Sequence, residues 1–258
     1  MKCSVWAGRS QLRNPQKWID LILASGCTRV DLIVNDLSRW RVSSRGRVSS
    51  RGIGKPTHWA TYNTDRLERF CKLAVDAGLE VHTLFWAVPT KRGLTSAACW
   101  LHTFAEVAGA SGHVLDAEEP ITKSSFADYE NSPQAAAQHL ANMMTKPWGV
   151  THIGYAPVGK VAPFVQLADY ALPQTYLTTS SGLKVSSIPR LVTRTVEKLG
   201  ARSVVGGFAL YRQPKPDNIS ATLQALRDEG ITTAVGWHAA GLKRYGSALK
   251  EAINEYNA

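Results

Sequence analysis

Proteins stapled by disulfides or structural zinc carry closely paired cysteines, and this chain has none. Cys3, Cys27, Cys71 and Cys99 fall at wide, irregular spacings without a CxxC pair. The expectation is four free thiols in a chain made in a reducing compartment. The 7 histidines form no HxH or HExxH, so metal-dependent hydrolysis has no sequence support and neither a metal nor a cofactor is expected. No uncharged run approaches the ~20 apolar residues that cross a bilayer, so no transmembrane helix is expected. The opening MKCSVWAGRS lacks the apolar core of a secretory signal, which points to synthesis in the cytoplasm and leaves the cell envelope open as a site of action. Acid is also scarce: 20 Asp and Glu stand against 30 Lys and Arg, a formal net charge of +10.

That excess is concentrated. Arg39–Lys55 holds Arg39, Arg41, Arg45, Arg47, Arg51 and Lys55 and no acid, six of the ten excess charges. The same segment carries a hexapeptide duplication, RVSSRG at 41–46 and again at 47–52. Rich in Ser, Gly and Arg, it cannot bury apolar area and is expected to be a mobile surface loop. Two readings stand for it. It attracts an anionic polymer such as an envelope glycan, nucleic acid or lipid head groups, or it is a neutral duplication tolerated because long loops cost little.

The 258-residue chain, 44% hydrophobic, reads outside that segment as an alternation of strands and helices. Asn14-Pro15 opens a helix that Gly26 closes, an N-cap, a proline at the first position and a glycine stop. Later helices are expected from Thr64 with Gly78 after it, from Thr95 to Ala108 before Gly109, from Ser132 through Met143, near Pro163 to Ala168, from Ser187 to Leu199 before Gly200, from Asp217 to Glu229 before Gly230, and from about Gly246 to Tyr256. Between them lie apolar runs at 3–7, 29–35, 80–86, 112–118, 151–155, 171–176, 203–210 and 232–238. Near-continuous apolar runs such as VDLIV suit strands buried on both faces, hence a parallel sheet covered by helices. Eight strands each followed by a helix, in a chain near the ~250 residues typical of that architecture, make a (β/α)8 barrel of the α/β class. An open doubly wound sheet is the rival, but no GxGxxG turn follows the first strand. No linker divides the chain, so 1–258 is expected to be one domain with 39–55 as a loop within it.

Chemistry in such a barrel sits at the C-terminal ends of the strands. The fourth strand ends in Asp116-Ala117-Glu118-Glu119, three carboxylates in four positions. Alternation directs Asp116 and Glu118 the same way and Glu119 the other. Two like charges so close disfavour joint ionisation, so one should keep its proton nearer neutral pH. A protonated acid beside an ionised partner is what protonating a glycosidic oxygen requires. The plainer reading is that these acids cap the next helix or pair with basic residues at the rim. Trp6, Trp86, Tyr155, Tyr176, Tyr211 and Trp237 also fall at or near strand ends, where aromatic faces stack on sugar rings. Asp31 on the second strand and His238 after the eighth are further candidates. A phosphate site at Gly206-Gly207 and Gly236 has only the fold to recommend it.

The sequence Leu115-Asp116-Ala117-Glu118 resembles the fourth-strand motif of barrel glycosidases that act on N-acetylated polysaccharides. These are the family 25 muramidases (lysozymes and phage endolysins) and, more loosely, the chitinase-like hydrolases. The resemblance implies that Glu118 is the general acid and that Asp116 orients or stabilises the reacting N-acetyl group. Gln174-Thr175-Tyr176 is similar to the Gln- and Tyr-bearing sixth strand of these families, and Gly236-Trp237 to the eighth-strand Trp beneath the sugar in the chitinase-like group. The chain departs from the pattern at the first strand, where Ser4-Val5-Trp6-Ala7 lacks the muramidase acid, and at Trp237-His238, where a second acid is usual. It also has Gly112 and His113 where a full chitinase signature needs a further Asp. The expected function is hydrolysis of a cell-wall polysaccharide, peptidoglycan first, with Glu118 and Asp116 catalytic. Trp6, Asp31, Trp86, Glu119, Tyr155, Gln174, Tyr176, Trp237 and His238 are expected to line the substrate. The alternative is a non-catalytic barrel that binds anionic glycan or nucleic acid through Arg39–Lys55.

Overall fold

A computed structural model describes residues 1–35, 40–42, 48–50, 63–177, 183–210 and 217–257. Eight parallel strands close into a barrel: β1 (Lys2–Ala7), β2 (Arg29–Ile33), β5 (Glu80–Phe85), β6 (Gly112–Asp116), β7 (Trp148–Ile153), β8 (Tyr170–Gln174), β9 (Gly206–Ala209) and β10 (Thr233–Trp237). Around the ring their order is β1-β10-β9-β8-β7-β6-β5-β2. The strand–helix alternation read from the sequence therefore closes as a (β/α)8 barrel. The remaining strands, β3 (Trp40–Val42) and β4 (Val48–Ser50), pair antiparallel with Val42 opposite Val48. These valines occupy the same place in the two RVSSRG copies, so the duplication supplies both sides of a small ladder. The rest of 39–55, expected to be mobile, lies outside the described residues, as does Tyr211.

The helices between strands are α1 (Pro15–Ala24), α2 (Thr64–Asp76), α3 (Lys91–Ala108), α4 (Glu119–Thr122), α5 (Pro133–Met143), α6 (Val158–Leu167), α7 (Ile188–Glu197), α8 (Asp217–Asp228) and α9 (Leu242–Asn257). Outward strand residues such as Val5, Val30, Leu115 and Val150 join Leu67 and Phe70 of α2 and Phe104 of α3 in the main core. Inward residues Trp6, Ile33, Leu84, Val114, Leu172 and Val235 form a second, central core. Every strand is thus buried on both faces, which is why its sequence reads as a continuous apolar run. Among the described residues no helix is long and apolar enough to cross a membrane, and no three His, Cys, Asp or Glu side chains could hold a metal. Cys3, Cys27 and Cys71 are buried and Cys99 is exposed, all as free thiols.

Several boundaries differ from the sequence reading. The fifth barrel strand begins at Trp148 rather than 151, and Gly149 within it has a packing reason. A Cβ there would overlap the Tyr170 ring. Helix α3 begins four residues before Thr95, because the Thr90 side chain accepts from Gly93 N at 3.0 Å and caps it. Helix α6 starts before Pro163 and carries that proline inside it.

Candidate active site

Asp116 is the last residue of β6, and Glu118 lies two residues on, just before α4. Their side chains are near enough for the Glu118 charge to act on Asp116. Asp116 is 0% exposed and neither of its oxygens completes a hydrogen bond. Burial first, and the neighbouring Glu118 charge second, push its pKa well above the usual carboxylate range. The Trp86 indole N–H favours the ionised form weakly, but it too completes no hydrogen bond. Burial therefore favours the protonated form of Asp116. Glu118 is half-buried, and its Oε1 accepts from Gln174 Nε2 at 3.0 Å. Gln174 is the last residue of β8 and also reaches the Thr151 hydroxyl at 3.5 Å. Thr151 is fully buried beside Asp116 in the β6–β7 register. The sequence reading did not single it out, because it took Thr151 as a strand start and lost its inward phase.

Opposite β6 in the ring stands β10, whose last residue is Trp237. Trp237 meets Trp6 edge-on with ring centroids 4.2 Å apart and lies 5.9 Å from Tyr176. Trp6 is completely buried, so it packs against the Trp237 ring and presents no face to a ligand. Trp86 is half-buried and is held by Asn35, which donates to its carbonyl at 2.8 Å and accepts from its amide at 3.0 Å. Tyr155 is 59% exposed on the rim, and its hydroxyl accepts from Arg190 at 2.7 Å. His238 lines a cleft of about 690 Å³ with Gly8, Arg9, Ile33 and Trp237. Its Nδ1 accepts from Ala240 N at 3.3 Å, and burial lowers its pKa, favouring neutral imidazole. Glu119 is the first residue of α4.

Asp31 is not brought to this mouth. It points into the N-terminal half of the barrel, fully buried, and its Oδ1 accepts from Arg29 Nη2 at 2.5 Å. Ser4 donates to its other oxygen. Arg29 reaches across the ring to the Tyr170 hydroxyl at 3.0 Å, which also meets His82 Nδ1 at 3.0 Å. The His82 ring fills the space a Cβ on Gly112 would need, at 2.7 Å. Arg29, Asp31, Tyr170 and His82 thus plug the closed end of the barrel. A carboxylate on a predicted strand gives no sign in sequence of which end its partners occupy.

No family model matches the sequence, and no curated protein matches it. Solved structures do match its fold. A GH18 chitinase from Pseudoalteromonas aurantia aligns over 99% of both chains with a TM-score of 0.65 and 13% identity. The xylanase and α-amylase inhibitor protein from Scadoxus multiflorus aligns over 99% of this chain and 98% of its own, with a TM-score of 0.66 and 11% identity. The spore cortex-lytic enzyme SleL of Bacillus megaterium QM B1551 covers 97% of this chain with 73% of its own, with a TM-score of 0.60 and 10% identity. At these identities the shared property is the fold, a (β/α)8 barrel common to chitinases and to an inhibitor protein.

Proposed function

We propose that the protein is a glycoside hydrolase of the chitinase-like barrel type that cleaves an N-acetylated cell-wall polysaccharide, with peptidoglycan the first candidate. One observation carries the reading: a fully buried Asp116 that completes no hydrogen bond, two residues before Glu118 at the open end of the barrel. Burying a carboxyl without a partner costs several kcal/mol unless it stays protonated. A fold that needed Asp116 only for packing would gain by replacing it. Trp237 across the mouth offers the apolar face for a sugar ring, and Gln174 orients the Glu118 carboxyl. The chitinases and the cortex-lytic enzyme among the structural neighbours support a glycan substrate. The muramidase form of the reading rests on the Asp-x-Glu spacing.

The chemistry follows from two carboxyls sharing one proton. The proton that burial keeps on Asp116 passes to Glu118 as sugar displaces water from the mouth. Glu118 then gives it to the glycosidic oxygen as the bond to the anomeric carbon breaks. Ionised Asp116 accepts from the substrate's acetamido N–H, and the acetamido oxygen forms the new bond to the anomeric carbon, so no protein nucleophile is needed. Water opens that intermediate and returns a proton to Glu118.

The second reading, a barrel that binds anionic glycan without cutting it, is favoured by the inhibitor protein among the neighbours. Nucleic acid would rest on the charge of Arg39–Lys55 alone. Incubation with peptidoglycan and with chitin oligomers, counting new reducing ends, separates the two. New ends from either polymer support the hydrolase, while retention of the polymer without new ends supports the binder.

A further inference from the structure

The cleft of about 690 Å³ beside Trp237 does not end at the barrel mouth. Arg9 and Arg13 line it on the β1–α1 connection. Arg13 also lines a second cleft of about 420 Å³, closed on its other side by Arg66 and Arg69 of α2. Helix α2 begins at the strands' C-terminal end, so these arginines stand on the same face of the barrel as Glu118. All four are exposed, and among the described residues none meets a carboxylate at ion-pair distance. Glu68, the acid between Arg66 and Arg69, faces Lys72 at 3.9 Å. Four like charges along two adjacent clefts that share Arg13 repel one another, and Asp65 in the first turn of α2 is the one acid beside them without an ion pair among the described residues. A guanidinium fork matches a carboxylate in shape and hydrogen bonding, and it is weakly hydrated, so it gives up water at low cost.

We propose that the clefts running from Trp237 past Arg9 and Arg13 to Arg66 and Arg69 bind the carboxylates of an acidic glycan strand. This rests on the proposed glycan site and specifies it: the preferred substrate is an N-acetylated polysaccharide that bears carboxylates, and neutral chitin is the poorer ligand. Trp237 belongs to both parts, stacking a sugar at the mouth while the arginines hold the continuing strand.

The test uses the Glu118→Gln protein, so that binding is read without turnover, and calorimetry with two soluble probes. Peptidoglycan strand oligomers carry carboxylates, and chitin oligomers of equal length do not. The expected result is tighter binding of the peptidoglycan oligomer at low salt, with the preference shrinking as added salt screens the charges. Arg66→Glu/Arg69→Glu should cut that preference roughly tenfold. Arg202→Glu/Lys198→Glu, an equal charge change elsewhere on the protein, should not. Equal affinities for the two oligomers, or a preference that survives reversal at 66 and 69, would overturn the track and leave the glycan site standing. Failure to bind either oligomer would overturn the glycan site and the track with it.

Discussion

Replacing Asp116 by Asn tests the protonation argument through stability. The wild-type carboxyl is fully buried at the end of β6, with no hydrogen bond to either oxygen. Burial and the Glu118 charge raise its pKa in the folded state. The unfolded chain ionises it near the ordinary ~3.9. Between those two values the folded state binds one more proton than the unfolded state. The stability this group contributes is therefore complete below the unfolded value and is lost as pH rises toward the folded one. The loss is about 1.4 kcal/mol per pH unit. Asn has no proton to lose, so its advantage over wild type should widen by that amount per unit above pH 4. Each kcal/mol moves the midpoint of a chain this size by roughly 2–4 °C, so melting curves at half-unit steps from pH 4 to 7 will resolve it. Parallel pH profiles for the two proteins would refute the argument. A gap that closed as pH rose would do so more forcefully, since that is the sign for an ionised, hydrogen-bonded carboxylate.

Three further outcomes are expected. Arg29→Met should cost about 3–5 kcal/mol in urea unfolding by leaving the buried Asp31 carboxyl without its ion-pair partner; Arg29→Met/Asp31→Leu should recover most of it, and an additive pair would argue against the ion pair. Gly149→Ala should cost about 1–3 kcal/mol by overpacking, because the Tyr170 ring in its way is pinned by Arg29 and His82; a neutral effect would mean the ring moves freely. His113 and His152 are buried, with pKa values lowered to about 3 and about 4, so their contribution is complete above the unfolded ~6.5 and lost as pH falls through it. In the Asp116→Asn background, His152→Gln should flatten the loss of stability between pH 6 and 4, and an unchanged slope would refute the assignment.

The barrel was legible because its signals are local. Gly26 and Gly109, read as helix stops, take φ of 79° and 82°, a conformation that glycine reaches without strain. The run VDLIV announced burial on both faces, and β2 is buried throughout. At the site, the period of two along β6 put Asp116 and Glu118 close enough to interact. That Asp116 is pushed toward its protonated form was not legible, since it depends on Asp116 being sealed under the mouth. Asp31 shows the same limit: its strand could be read from the sequence, but its partner at the closed end depends on Arg29 reaching across the ring to Tyr170. The arginine track was hidden for a similar reason. Arg13 and Arg66 are more than fifty residues apart and meet only because α1 and α2 are neighbours on the outer ring.

The most direct measurement is the release of reducing ends from a soluble N-acetylated cell-wall glycan by wild-type protein and by Glu118→Gln, side by side near pH 6. The expected result is steady release by wild type and a loss of roughly 10²–10⁴-fold in the variant, with melting midpoints that agree. Equal release by both proteins, or none by wild type while the glycan is bound, would contradict the assignment of Glu118 as the proton donor.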